Sequence, residues 1–166
     1  MASPKRRISV KNLHKKLNAS AAQIKKMFHT LDAHFEDARA PVGELSVVLM
    51  DNTQIAQLHE RFLNDPTPTD VITFDGEADM NFAGEICVGA QRAHEVCGQY
   101  GNDFSTELCL YLVHGYLHLS GYDDHAPDDI RAMRVAEKSA LALLKEKSAL
   151  PLFSLSKKSV CPLDNV

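Results

Sequence analysis

The sequence predicts an α+β fold: a mixed sheet of about four strands with about five helices packed over it, one of them central and buried. Three observations carry this. Strand-like and helix-like stretches interleave, but the strand-like ones cluster in the middle of the chain. Residues 45–50 are apolar almost without interruption, as in a strand covered on both faces. Residues 108–113 are apolar almost all round, the mark of a helix buried on every side.

Taken in order, the alternation over residues 7–10 predicts a first strand at a sheet edge. Ser20 can cap a helix running to about Phe35, with Ile24, Met27, Phe28 and Leu31 as its core stripe. Pro41 and Gly43 mark a turn, and residues 45–50 form the second strand. Asp51 or Asn52 caps the next helix, with Ile55, Leu58 and Phe62 as buried positions. Residues 64–68 are a loop, 70–74 a third strand, 76–81 a polar turn without strand signal, and 84–89 a fourth strand. A helix follows over 91–99, broken at Gly101, and the apolar helix starts near Ser105. Pro127 suits the first position of the last helix, and Asp128 and Asp129 favour its positive end; it runs to about Lys147. The expectation is one domain over residues 1–166, with its core at about 7–147 and a loosely held, irregular tail over 148–166 carrying Pro151 and Pro162.

Composition bounds the function. Apolar content of 45% and charged content of 24% suit a globular protein with a real core. No apolar run is long enough to span a bilayer, and the basic N-terminus lacks the apolar region of a secretory signal. Cys87, Cys97, Cys109 and Cys161 show no close pairing, which suits reduced thiols in a cytoplasmic protein better than a disulfide framework. The net charge of −4 argues against nucleic acid only as an average, because no acid precedes Asp32 while Lys5, Arg6, Arg7, Lys11, Lys15, Lys16, Lys25 and Lys26 do. That third of the chain is a candidate phosphate-facing surface. Its resemblance to an organelle transit peptide is set aside because residues 8–10 read as a strand.

The chemistry centres on His114-Gly-Tyr-Leu-His118-Leu-Ser-Gly121-Tyr-Asp-Asp124-His125. Residues four apart stack on one helical face, so His114 and His118 can grip one cation without bending the backbone. Gly121 accepts the left-handed conformation that stops a helix. The chain then turns back with Asp124 and His125, and either can close the site; imidazole is the commoner zinc ligand, which inclines the reading to His125. Three protein ligands leave one tetrahedral position open for water, as catalytic zinc sites do.

This segment resembles the signature of the YbeY family, bacterial rRNA maturation factors that are metal-dependent endoribonucleases specific for single strands. Its pattern, His-Gly-x-Leu-His-Leu-x-Gly-Tyr, is matched by His114, Gly115, Leu117, His118, Leu119, Gly121 and Tyr122. The family's third ligand, usually His, falls at Asp124, and His125 lies one place later. Pro68-Thr-Asp70-Val-Ile-Thr-Phe74 and Gly84-Glu-Ile are similar to two further family patches. The resemblance covers roughly residues 45–144 and implies the same α+β architecture. It also implies cleavage of single-stranded RNA in 16S rRNA 3′-end maturation and ribosome quality control. The implied partners are rRNA and the ribosome (30S or 70S), with neither DNA nor membrane. The implied cofactor is one Zn2+, other divalent metals being admissible, on His114, His118 and either Asp124 or His125, with His114, His118 and Asp124 as the catalytic set. Where the family usually has an arginine proposed to serve RNA or catalysis, this chain has Leu63, and where it has a preceding Asn, His59. Arg61, two residues away, points to a different helical face.

Zinc peptidases place a Glu general base directly after the first ligand, in His-Glu-x-x-His. Gly115 stands there instead and cannot take a proton. A metallopeptidase-like hydrolase and a ribosome-associated binding protein with a structural metal are the alternatives. Glu107 and Tyr111 are candidate partners orienting the ligands, although Glu107 equally suits the helix dipole. Asp123 could orient a ligand or be a solvated turn residue, and Thr69 and Asp70 read as local backbone partners at a strand entry. His29, His59 and His94 lack partner spacing and are read as structural or surface groups.

Overall fold

The computed structural model describes residues 5–156. Four strands form one mixed sheet in the order β1-β3-β5-β4. β1 (Ile8–Asn12) pairs parallel with β3 (Glu44–Met50), and β3 pairs parallel with β5 (Phe82–Gly89). β4 (Val71–Glu77) runs antiparallel to β5 and forms the far edge. The helices are α1 (Ala21–His34), α2 (Asn52–Leu63), α3 (Ala90–Val96), α4 (Phe104–Leu119) and α5 (Pro127–Glu146).

The two central strands, β3 and β5, are covered on both faces, and their side chains divide accordingly. Leu45, Val47 and Leu49 of β3 join Ile86 and Val88 of β5 in the core beneath α1, α4 and α5. Val48, Met50, Ile72 and Cys87 pack on the other face with Ile55 of α2. The near-continuous apolar run of β3 is the direct consequence. Ser20 caps α1, its hydroxyl accepting from Gln23 N, and Asp51 closes a capping box with Gln54 at the start of α2.

α4 lies at the centre. Leu108, Cys109, Leu112, Val113, Tyr116 and Leu117 are all essentially inaccessible, and a fully buried side chain of this size contributes about 1.5–3 kcal/mol. Gly115 faces the sheet, and a Cβ there would lie 2.5 Å from Ile86 Cγ2. Glycine at this point lets α4 sit directly on β5 and β4.

Four expectations change. Phe62 is 53% exposed, because it reaches only the edge strand β4, where its ring rests edge-on against Phe74 at 5.0 Å between centroids. β4 continues through Gly76 to Glu77, since Asp75 and Glu77 pair with Gly84 and Phe82 of β5; only Ala78–Met80 forms the turn. The segment after α5 is held, not loose, as far as it is described. Ala149 and Phe153 are buried, Phe153 exchanges hydrogen bonds with the Ser105 hydroxyl, and β6 (Ser154–Leu155) pairs with the two-residue β2 (Leu17–Asn18). Pro162 and Cys161 lie outside the described residues. Finally, Arg6 does not face solvent. Its guanidinium binds the Asp32 carboxylate at 2.6 Å and the carbonyls of Ala40, Pro41 and Gly43.

Cys87 and Cys109 are free, buried thiols, and burial pushes the latter's pKa up to about 12, so neither is a reactive thiolate. His29 bonds the Arg6 carbonyl, His59 the Thr67 carbonyl, and His94 packs edge-on against Phe104. No helix among the described residues is long and apolar enough to cross a membrane.

Candidate metal centre

α4 starts where the Asp103 carboxylate accepts from Thr106 N, and one helical face then carries His114 and His118 toward its C-terminal end. The two Nε2 atoms lie 2.9 Å apart, with the rings nearly perpendicular at 4.5 Å between centroids. Gly121, at φ +104°, turns the chain after Ser120, and Tyr122 N donates to Leu117 O. The reversal brings the Asp124 carboxylate back over the histidines. Its Oδ2 is 3.3 Å from His114 Nε2 and 3.6 Å from His118 Nε2.

The protons on these rings follow from their other partners. His118 Nδ1 lies 3.1 Å from the Tyr122 carbonyl, which can only accept, so Nδ1 carries the hydrogen. His114 Nδ1 lies 2.6 Å from Glu137 Oε1 and donates to that carboxylate. In the neutral rings both Nε2 atoms are therefore lone-pair acceptors, and they face each other and a carboxylate oxygen. Three acceptors within 4.8 Å repel one another unless a cation lies between them. This donor set of two imidazoles and one carboxylate fits a divalent transition metal.

His125 does not join this group. Its side chain is 85% exposed and its Nδ1 pairs with Asp123 at 2.7 Å. Asp123 behaves as a turn residue: it accepts from Asp124 N, and that bond holds its carboxyl below the usual carboxylate range. The fold thus delivers Asp124 where the preference for imidazole had inclined the reading to His125. Three residues that read as one cluster in the sequence point in two directions on a tight turn.

Glu137 and Arg134 of α5 went unread in the sequence. Glu137 is 4% exposed, in the stripe Met133, Ala136, Ala140 and Leu144 that buries α5 against the core. A glutamate in that stripe was the available signal, since an acid is almost never buried without a partner. It has two: His114 and Arg134, whose Nη1 lies 3.2 and 2.9 Å from its oxygens. Burial opposes the charged form of both buried groups. Even so, the Glu137 hydrogen bond and the charges of Glu137, Asp70 and Asp124 raise the His114 pKa, and His114 and Arg134 lower that of Glu137.

The other candidates take structural places. Glu107 is buried and accepts from Asn102 at 2.8 Å, away from the histidines. Tyr111 is buried, and burial followed by the charges of Glu107 and Asp70 raises its pKa. Asp70 accepts from Val71 N and Thr69 Oγ1, as a strand-entry residue should. Leu63 ends α2 61% exposed, and the Arg61 guanidinium lies 5.5 Å from the Phe62 ring centroid.

Residues 8–145 match the family model described as Endoribonuclease YbeY. The chain belongs to the YbeY family of endoribonucleases. Among its relatives, an Endoribonuclease YbeY of Protochlamydia amoebophila is 36% identical over 140 residues, covering 78% of this chain and 93% of its own length. That of Chlamydia trachomatis serovar D is 37% identical over 118 residues, covering 68% and 73%. The solution structure of TM1509 from Thermotoga maritima has the same fold, with a TM-score of 0.56 at 23% identity over 86% of this chain and 94% of that one. The α+β architecture with its mixed four-stranded sheet, and membership of a nuclease family, accord with the sequence reading. In this YbeY chain the motif histidines share their cluster with a carboxylate.

Proposed function

We propose that this YbeY protein is a metal-dependent endoribonuclease that cleaves single-stranded RNA, with one divalent cation, Zn2+ in the first instance, held by His114, His118 and Asp124. Its place of work is the cytoplasm, in 16S rRNA 3′-end maturation and ribosome quality control, with the 30S or 70S ribosome as partner. The observation that carries the reading is the convergence of three acceptors, the Asp124 carboxylate and two imidazole Nε2 atoms whose rings already donate through Nδ1.

When bound, such a cation lowers the pKa of water toward ~7 and offsets charge building on a phosphoryl oxygen. The protein's own groups do the rest. Glu137 and the Tyr122 carbonyl fix the two imidazoles in the Nδ1–H tautomer, aiming both Nε2 atoms at one point. His118 and Asp124 are partly exposed, at 22% and 36% of their side chains, so a strand can reach the site. A peptidase reading lacks the glutamate base that follows the first ligand in zinc peptidases: the position after His114 is Gly115, packed on Ile86, and Glu137 is engaged behind the ring.

The test is incubation of the purified protein with single-stranded and duplex RNA of one sequence, with and without a chelator, alongside elemental analysis. The expected result is one ion per chain and chelator-sensitive cleavage confined to the single strand. Cleavage untouched by chelator, or a protein that purifies active and metal-free, overturns the reading.

A further inference from the structure

An RNA strand approaching this cluster meets mostly negative charge. Asp124, Asp70 and Glu137 all act on His114, and the chain's net charge is −4. Beside the metal, which serves the reacting phosphate, the flanking phosphates of the strand need a side-chain cation there. α2 does not supply it, because Leu63 ends the helix and Arg61 is drawn over Phe62.

α5 does. Arg134 is anchored through Nη1 on both Glu137 oxygens, and Glu137 Oε1 is the atom that receives His114 Nδ1–H. The same guanidinium lies within electrostatic reach of Asp124 and Asp70. Its Nε and Nη2 find no hydrogen-bond partner among the described residues, and the side chain is 66% exposed. A guanidinium offers five N–H donors, so one edge can be pinned while the other stays open for a second anion. Pinning also removes part of the rotamer entropy that a free arginine loses on binding. Lys138, one turn further along α5, is exposed on the same face and continues the positive stripe.

We propose that Arg134 binds a backbone phosphate of the RNA strand beside the His114–His118–Asp124 cluster, doing from α5 what no arginine of α2 is placed to do. This rests on the endoribonuclease reading above. The experiment measures binding of a fluorescently labelled single-stranded RNA to the chelated protein by anisotropy, over a range of salt concentrations, for the wild type, Arg134→Ala and Arg134→Lys. Chelation prevents cleavage and removes any contribution of the metal to affinity. Loss of one phosphate contact lowers the slope of log affinity against log salt by ~0.7 for a single strand. Arg134→Ala is therefore expected to weaken binding about tenfold at low salt and to lose ~0.7 of slope, while its metal content after reloading stays at the wild-type level. Arg134→Lys keeps the slope and recovers part of the affinity, since the point charge survives and the fork does not. Unchanged affinity and slope in Arg134→Ala overturn the proposal. So does loss of metal with RNA binding intact, which would make Arg134 only a brace for Glu137. Neither outcome touches chelator-sensitive cleavage by the wild type, on which the endoribonuclease reading stands or falls.

Discussion

Replacing Glu137 by Gln isolates what the carboxylate does for His114. The substitution keeps the volume of a side chain that is 4% exposed, so no cavity opens in the α4–α5 contact. It removes the negative charge that receives His114 Nδ1–H at 2.6 Å and holds Arg134 Nη1 at 2.9 Å. A hydrogen bond to a charged group is worth ~1.5–3 kcal/mol, against ~0.5–1.5 for a neutral one. The amide oxygen can still accept, so about 1–1.5 kcal/mol is lost at the imidazole. Outer partners of metal-bound histidines typically contribute 10–100-fold to affinity, or ~1.4–2.7 kcal/mol. The two routes meet near tenfold. The assay is a zinc titration against a competing chelator at fixed pH, with circular dichroism confirming that the variant is folded. Glu137→Gln is expected to bind zinc about tenfold more weakly, and Glu137→Asp, one methylene short, to fall at least as far despite its charge. Wild-type affinity in Glu137→Gln would refute the claim that this carboxylate sets the imidazole's basicity and orientation.

The turn makes a second prediction. Asp124→Asn is expected to lose most of the bound metal and of the cleavage rate, whereas His125→Ala keeps both within about twofold, because an 85% exposed ring touches only Asp123 and Asp124. Elemental analysis of the two variants checks it, and the reverse pattern would make His125 the ligand. Gly115→Ala gains ~1 kcal/mol of helix propensity but drives a methyl to 2.5 Å from a branched methyl of Ile86, at an overpacking cost of ~1–3 kcal/mol. Denaturant unfolding is expected to show net destabilisation of up to ~2 kcal/mol. For pH, protons and cation compete for His114, whose pKa is raised above 6.5, so zinc affinity in a chelator-competition titration falls as pH drops, beginning above 6.5. In the metal-free protein the same shift gives stability that is complete below 6.5 and is lost as pH rises through the raised value. The lowered pKa of Glu137 gives stability present above 4.5 and lost as pH falls through its folded value, which denaturation of the chelated protein across pH resolves separately.

The two faces of β3, the caps of α1 and α2, the paired histidines and the stop at Gly121 were legible in the chain order. Each depends on neighbours within a turn or on a simple alternation. Four features were not. Gly76 and Glu77 are poor strand formers, and only pairing with Phe82–Gly84 makes them strand. Phe62 lies on the apolar stripe of α2, yet it meets only the edge strand of the sheet, at Phe74, and stays half exposed. Ala149 and Phe153 carry an unremarkable local pattern; Ala149 is tied back to the end of α5 at Leu144, and Phe153 docks on α4 at Ser105. Glu137 lies 23 residues from the histidine it orients, a separation no spacing rule spans.

By itself, then, the sequence determined that two imidazoles share one helical face and that the chain returns to them within a few residues, because helical periodicity and the glycine turn are local. Only the tertiary structure brings the Asp124 carboxylate, rather than the His125 ring, up to the two histidines, and sets Glu137 and Arg134 behind them. Those choices depend on where the turn aims adjacent side chains and on how α5 lies against α4, and both follow from packing between segments distant in the chain.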